Sequence, residues 1–385
     1  MTRITAAEDI RSAMLDVSRQ LIAVNTVDPP GNEAVAAECI GAVLRQEGIS
    51  FKLQEIAPGR TNLIARLPGS GGKGALVYSA HFDTISVNRP DWTVDPFGGE
   101  VRDGRLYGRG ATDMKAAMAA MLYAAVALKR SGQTLRGDLI LAFTAAENSS
   151  CLGAKAMADS DLLAGATALL ISEPTSLDVF IAEKGALWLR ATARGEYGHN
   201  AFSEERTGDR GSAILRMGEF LTRVRDLSIE APRHEMLGPP TVNVGVIRGG
   251  VSTVLIADSC SADIDIRMVP GLSAEAVAAA FGRIAGPHVT IEILDYKPPV
   301  TTPADNEFVR LCATVCGEIR GSAPRLTGVP YYTDGAILAP RLGVPMVILG
   351  PGEVGKSGSV DEYVELAKLS QSLAMFLRIA EQYLA

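Results

Sequence analysis

Histidine is scarce in this chain: four occur in 385 residues, at 81, 199, 234 and 288, and none in the last 97. Any imidazole chemistry must use one of those four. Cysteine is sparse too, and the five present (Cys39, Cys151, Cys260, Cys312, Cys316) are odd in number and scattered. They give no disulfide framework and fit a reducing cytoplasm. Cys312 and Cys316 fall one turn apart on an expected helix, a spacing that suits two buried thiols. No apolar run approaches the length that spans a bilayer, and the polar, acidic start Met1–Asp9 does not read as a signal peptide. A basic excess is also missing. The formal net charge of −7 argues against nucleic acid or an anionic membrane as partner. No internal repeat or low-complexity tract occurs.

What is present reads as an ordinary globular enzyme. The chain is 47% hydrophobic and 21% charged, and its length allows two or three domains. It is organised around Ala80-His81-Phe82-Asp83-Thr84, which follows the short apolar run Ala75–Ser79. That run reads as a buried strand. His and Asp two apart at its end share one side of the backbone. An imidazole there can ligate a metal and a nearby carboxylate can orient it, although the pattern alone fits a structural histidine as well.

More acids follow, each tied to an apolar run. Asp113, in Gly108-Arg-Gly-Ala-Thr-Asp113-Met-Lys115, leads into an alanine-rich helix and could equally be its N-cap. Asp138–Thr144 reads as a strand ending in Ala145-Ala146-Glu147-Asn148, and Ala168–Ser172 ends in Glu173-Pro174-Thr175. In open α/β sheets, sites are built at the carboxyl ends of strands.

With these residues in view, the chain resembles the zinc aminoacylase and carboxypeptidase family that includes acetylornithine deacetylase and succinyl-diaminopimelate desuccinylase. His81-x-Asp83, Gly108-Arg-Gly-x-x-Asp113-Met-Lys115, Thr144-Ala-x-Glu147 and Ser172-Glu173-Pro174-Thr175 carry the resemblance. So do Gly195-x-x-x-His199, Asp265-x-Arg267, Gly350-Pro-Gly and Asp361-Glu362-Tyr363. It covers the chain from about residue 15 to the C-terminus.

Read in order, 8–24 and 33–48 are expected helices around a Pro29-Pro30-Gly31 turn, and 50–67 shows strand-like alternation. The loop 85–110 is rich in Pro, Gly and Asp, with Trp92 and Phe97 packing it down. The run 115–130 is a helix buried nearly all round. From residue 184 the grammar changes to strand, helix, two strands, helix, strand (185–194, 211–225, 241–247, 261–268, 273–284, 289–294). That βαββαβ order matches a ferredoxin-like unit. The expected architecture is therefore an α/β, metal-dependent exopeptidase-like catalytic domain, 1–183 with 298–385, whose mixed sheet carries helices on both faces. Into it is inserted an α+β ferredoxin-like lid, 184–297. By resemblance this lid also mediates homodimerisation, and such an insert suits closure over a substrate.

The resemblance implies that His81, Asp113 and Glu173 bind one divalent ion, Zn²⁺ or else Mn²⁺ or Co²⁺. Three N/O ligands with an open position describe a catalytic site. Glu147 falls where the family keeps its general base; the alternative is an exposed loop acid, which its place at a strand end disfavours. Asp83 would bond the far nitrogen of His81. His199 would reach the partner subunit's site and stabilise an oxyanion, where a surface histidine is otherwise the simpler account. Arg267 would hold a substrate carboxylate with help from Asn243, though both could be packing residues.

Two departures touch one metal site only. The family pairs its base with a second Glu that binds a second ion, and here that position is Asn148. It also supplies a histidine to that ion after Gly-Pro-Gly, and here that position is Gly358. Thr253 and Ile256 replace the Asn and Pro that relatives tend to carry. One ion per chain is therefore expected, with Lys356 the nearest charge to stand in for the lost one. Exchanging Asn148 for Glu and Gly358 for His would restore a second site if the backbone is family-like. The expected activity is hydrolysis of an amide or other C–N bond in a small carboxylate-bearing substrate such as an N-acyl amino acid. The alternative is a catalytically altered or inactive relative that binds a small carboxylate.

Overall fold

The structure is a computed structural model that describes residues 2–202 and 211–385. The chain divides into two compact units. One comprises residues 1–182, 301–327 and 333–385, and the other 183–300 with 328–332. Residues 183, 298–300 and 328–332 thus cluster with the second unit, although the change in strand–helix order places them in the first.

The first unit is built on a mixed sheet, nine-stranded among the described residues. Its order runs Ser50–Ala57, Arg60–Leu67, Leu139–Thr144, Ala75–His81, Ala166–Ile171, Met346–Ile348, Val179–Glu183 and Val300–Thr301, with Leu326–Val329 beside Val179–Glu183. The four central strands, from Leu139–Thr144 to Met346–Ile348, are parallel. The stretch 50–67, with its strand-like alternation, is a hairpin turning at Pro58-Gly59. Every residue of Ala75–His81 is buried, as expected of a parallel strand covered on both faces.

The helix Lys115–Ser131 follows from its alanines and leucines, which carry high helix propensity. Gly132 ends it in the left-handed conformation (φ 68°), with Lys129 and Arg130 in the last turn. Its residues from Lys115 to Val126 are all buried. It packs against Thr2–Ala23 and Leu366–Tyr383, while Leu152–Ala158 packs against Gly335–Leu342. Tyr78 fixes Leu366–Tyr383 to the sheet through its ring contact with Phe376 and a bond from its hydroxyl to Phe376 O. A small sheet of Val101–Arg102, Arg105–Tyr107 and Tyr363–Glu365, absent from the sequence reading, ties the long loop to the C-terminal segment. In that loop Trp92 and Phe97 are half-buried beneath the guanidinium groups of Arg109 and Arg89.

The second unit is a four-stranded antiparallel sheet in the order Thr241–Gly249, Ser259–Met268, Gly185–Arg194, Val289–Lys297. Helices Ala213–Arg225 and Ala274–Ala285 complete the βαββαβ order, so its topology is ferredoxin-like. Ser259–Met268 alternates strictly between half-buried and buried positions, as a strand with one covered face must. Leu187, Leu189, Ile264 and Ile266 meet Phe220 and Phe281 in its core.

Candidate metal centre

Two strand ends and one helix start of the first unit deliver the site. His81 closes its strand, Glu173 stands just past Ile171, and Asp113 precedes the helix Lys115–Ser131. Their ligand atoms all lie within 4.8 Å of one another. His81 Nε2 is 3.0 Å from Asp113 Oδ1 and 3.6 Å from Glu173 Oε1. Ligands at zinc bond lengths around a tetrahedral centre stand about 3.4 Å apart, so the donor set fits a divalent ion of that size. His81 Nδ1 lies 2.8 Å from the main-chain oxygen of Asp83. A carbonyl only accepts, so Nδ1 carries a proton and Nε2 is the nitrogen left for a metal.

That geometry corrects one expectation. The Asp83 carboxylate stands 3.8 Å from His81 Nδ1 and leaves the imidazole to its own carbonyl. It clasps the next strand end: Oδ1 accepts from Glu147 N at 3.0 Å, and Oδ2 from Asn148 N and Nδ2, both at 2.9 Å. The same turn is held elsewhere. Ala145 N donates to Asn62 Oδ1 at 2.9 Å and Ala146 N to Glu33 Oε1 at 3.1 Å. The Ser149 hydroxyl donates to Asp28. Ala146, Ser150 and Cys151 sit at φ of 62°, 72° and 55°, conformations unfavourable for residues with a Cβ. The side-chain acceptors over-determine a strained loop and fix where Glu147 begins.

The electrostatics are those of crowded acids around one imidazole. Burial favours neutral His81, but its bonds to Asp113 and Glu173 outweigh burial and hold its pKa well above the ordinary value. Burial, then the Asp113 charge, raise Glu173 to about 7. Burial raises Glu147 well above the usual range, with Glu173 and Asp334 reinforcing it against the pull of His81. Burial would raise Asp113 as well, yet His81 and Ser357 keep it below its ordinary value.

Three further residues bear on the site, and of these the sequence pattern marks only Glu362, within Asp361-Glu362-Tyr363 and with no role attached. Asp334, at the start of Gly335–Leu342, is buried, accepts a hydrogen bond from Thr144, and is pushed by burial up to about 6. An acid just before a helix was the available clue. The Ser357 hydroxyl donates to Asp113 Oδ2. Glu362 is buried, and its Oε1 accepts from Gly110 N, Thr112 N and Asp113 N at 3.0, 2.9 and 3.2 Å while Oε2 meets Arg109. The Lys356 ammonium lies 5.6 Å from the centre of the Tyr363 ring, and no ion pair to it occurs among the described residues. Gly358 has φ 73°, and a Cβ there would come within 2.5 Å of Ile85 Cδ1.

Both predicted substrate residues belong to the second unit. Arg267 Nε donates to Asp265 Oδ2 at 2.9 Å, and its guanidinium lies 5.4 Å from the Tyr332 ring centre. Trp188 Nε1 holds the other Asp265 oxygen at 2.8 Å, and Asn243 pairs opposite Asp265 on the neighbouring strand. His199 is exposed, and its Nδ1 accepts from Ala201 N at 3.2 Å. It pairs with Leu255, next to the Gly198–Ile256 pair, while Thr253 is exposed.

Residues 77–382 match the model of Peptidase family M20/M25/M40. The chain belongs to that family. It is 31% identical over 338 residues to the acetylornithine deacetylase of Myxococcus xanthus, covering 84% of each chain. To a probable succinyl-diaminopimelate desuccinylase of Staphylococcus epidermidis it is 24% identical over 381 residues, covering 92% of this chain and 94% of that one. Its fold is that of the Bacillus subtilis YXEP protein, described as a dinuclear metal binding peptidase of the M20 family. That match has a TM-score of 0.73 at 16% identity and covers 98% and 99% of the two chains. The chain is a metallohydrolase of this family.

Proposed function

We propose that this member cleaves the amide, or another C–N bond, of a small carboxylate-bearing compound of the N-acyl amino acid class, using one divalent ion, Zn²⁺ before Mn²⁺ or Co²⁺. The convergence of His81, Asp113 and Glu173 on one point carries the reading. A divalent ion bound there supplies a Lewis acid for the scissile carbonyl and acidifies a water molecule. His81 ligates through Nε2 with its tautomer fixed by the Asp83 carbonyl, and Asp113 and Glu173 supply the compensating charge. Glu147 is the general base: it takes the attacking water's proton and passes it to the leaving nitrogen. Asp83 is a positioning residue that fixes the main chain of Glu147.

The second unit supplies the rest of the reading, as a lid and a homodimer interface. Its edge strand Thr241–Gly249 exposes Val244, Val246 and Ile247, which supports pairing with a second copy. Arg267 commits only Nε to Asp265, which supports its outer nitrogens as a bidentate carboxylate clamp, with Asn243 on the same face. An accepting Nδ1 leaves His199 with its proton on Nε2 when neutral, the tautomer for donating to an oxyanion in the partner's site. The five free cysteines support a cytoplasmic setting.

The test is elemental analysis beside a hydrolysis screen of N-acetyl and N-succinyl amino acids. One ion per chain and turnover of at least one compound are expected. A protein that turns over none of them with metal present would instead be a carboxylate-binding relative.

A further inference from the structure

We propose that Asn148 and Ser357 are positioning residues that do with hydrogen-bond donors what a second cation would do. They hold the outer oxygens of Asp83 and Asp113 and so aim the site at a single ion. The inference rests on the metallohydrolase reading above.

The two oxygens of Asp113 have different tasks. Oδ1 lies 3.0 Å from His81 Nε2, inside the ligand triangle, while Oδ2 accepts the Ser357 hydroxyl. A carboxylate that bridges two ions needs a lone pair directed at each, and paired catalytic ions stand about 3.5–4 Å apart. Here one side is already taken by a donor. Ser357 therefore turns Asp113 into a ligand for one ion and stops the carboxylate from rotating.

Asp83 is treated in the same way from the other direction. Its side chain is fully buried, and a buried carboxylate must be met by donors. Asn148 meets it twice at Oδ2, through N and Nδ2 at 2.9 Å each. An acid at position 148 would lose the Nδ2 donor and set a second negative charge against Asp83. Neutral donors at 148 and 357 thus stabilise carboxylates around His81 without an additional metal. Gly358 completes the arrangement, because a side chain beside Ser357 would meet both a left-handed backbone and Ile85.

The test uses the full chain, stripped with a chelator and titrated with Zn²⁺ in competition with a chromophoric chelator. The wild type should saturate at one equivalent. Ser357→Ala, which removes the donor on a ligand, should weaken Zn²⁺ about 10–100-fold, and Asn148→Ala, which touches no ligand and keeps its main-chain N–H to Asp83, should weaken it by a smaller factor that still exceeds twofold. Ser357→Thr, which keeps the hydroxyl, should recover most of the affinity. Because Ser357 is exposed, Ser357→Ala should move the Tm of the metal-free protein by less than about 2 °C, which separates positioning from loss of fold. A wild type that binds one ion, with variant affinities within twofold of it, overturns this inference alone. A wild type that saturates at two equivalents overturns the one-ion reading and this inference with it.

Discussion

Glu362 accepts the main-chain N–H of Asp113 at 3.2 Å, so an acid near the C-terminus fixes the backbone of a candidate ligand far away in sequence. The same oxygen takes Gly110 N and Thr112 N, and the other meets Arg109. Arg109 in turn donates to Ser86 O and Gly358 O. The loop that presents Asp113 and the loop that presents Ser357 are therefore held by one buried ion pair.

Removing half of that pair should be costly. Glu362 and Arg109 are both almost fully buried, with side-chain exposures of 1% and 3%. Glu362→Ala leaves an uncompensated guanidinium and three unmet amides, so denaturant titration should find about 3–5 kcal/mol less stability. Glu362→Gln keeps an acceptor for the amides and should lose less. Equal losses for the two variants would show that the charge, not the acceptor, holds the loop.

Glu147→Gln should separate the base from the ligands. Turnover is expected to fall about 10²–10⁴-fold, the range for loss of a general acid–base group, while zinc content stays at the wild-type value. Zinc lost together with activity would make Glu147 a ligand instead.

Zinc affinity should depend on pH in a definite direction. Burial and Asp113 raise Glu173 from 4.5 to about 7, and the neighbouring acids hold His81 above its ordinary value. Both groups carry protons in the metal-free fold that an ion must displace. Affinity should therefore climb as pH rises through about 7, and calorimetry in buffers of different ionisation enthalpy should register proton release. The metal-free fold follows the linkage sign for a raised carboxyl. Between 4.5 and about 7 the folded state binds a proton that the unfolded state does not. The resulting stability is complete below 4.5 and is lost as pH rises through about 7. Denaturation of the chelated protein at pH 5 and pH 8 checks it.

The parts of the fold legible in the sequence were those with strong local periodicity. Ala75–His81 and Lys115–Ser131 announce themselves as apolar runs, the first opened by Gly74 and the second closed by Gly132. The second unit was legible because its strands alternate cleanly, as Ser259–Met268 does. The target of the Asp83 carboxylate was not. Strand pairing, invisible in one strand, sets His81 beside Thr144 and brings the 147–148 turn within reach of Asp83. Ser357 and Glu362 lie in irregular segments near residue 360, and their contacts with Asp113 depend on tertiary closure. Lys356 shows a related limit: adjacency in sequence says nothing about side-chain direction in a turn, and its ammonium lies over Tyr363.

Restoring the two missing ligands should not restore a second ion. Asn148→Glu removes the Nδ2 donor to Asp83 and sets a carboxylate against one that is already buried. Gly358→His must adopt φ near 73°, which costs a residue with a Cβ about 1–2 kcal/mol. It must also displace Ile85 Cδ1, 2.5 Å from the new Cβ. Even with both changes, Ser357 still occupies Asp113 Oδ2, the oxygen a second ion would need. The double variant should therefore hold one zinc per chain by elemental analysis and unfold at lower denaturant than the wild type. Adding Ser357→Ala and Ile85→Ala removes the competing donor and the clash, and only then should the stoichiometry move towards two. Two ions in the double variant by itself would show that the loop around Gly358 rebuilds without help, and that Ser357 does not keep Asp113 for a single metal.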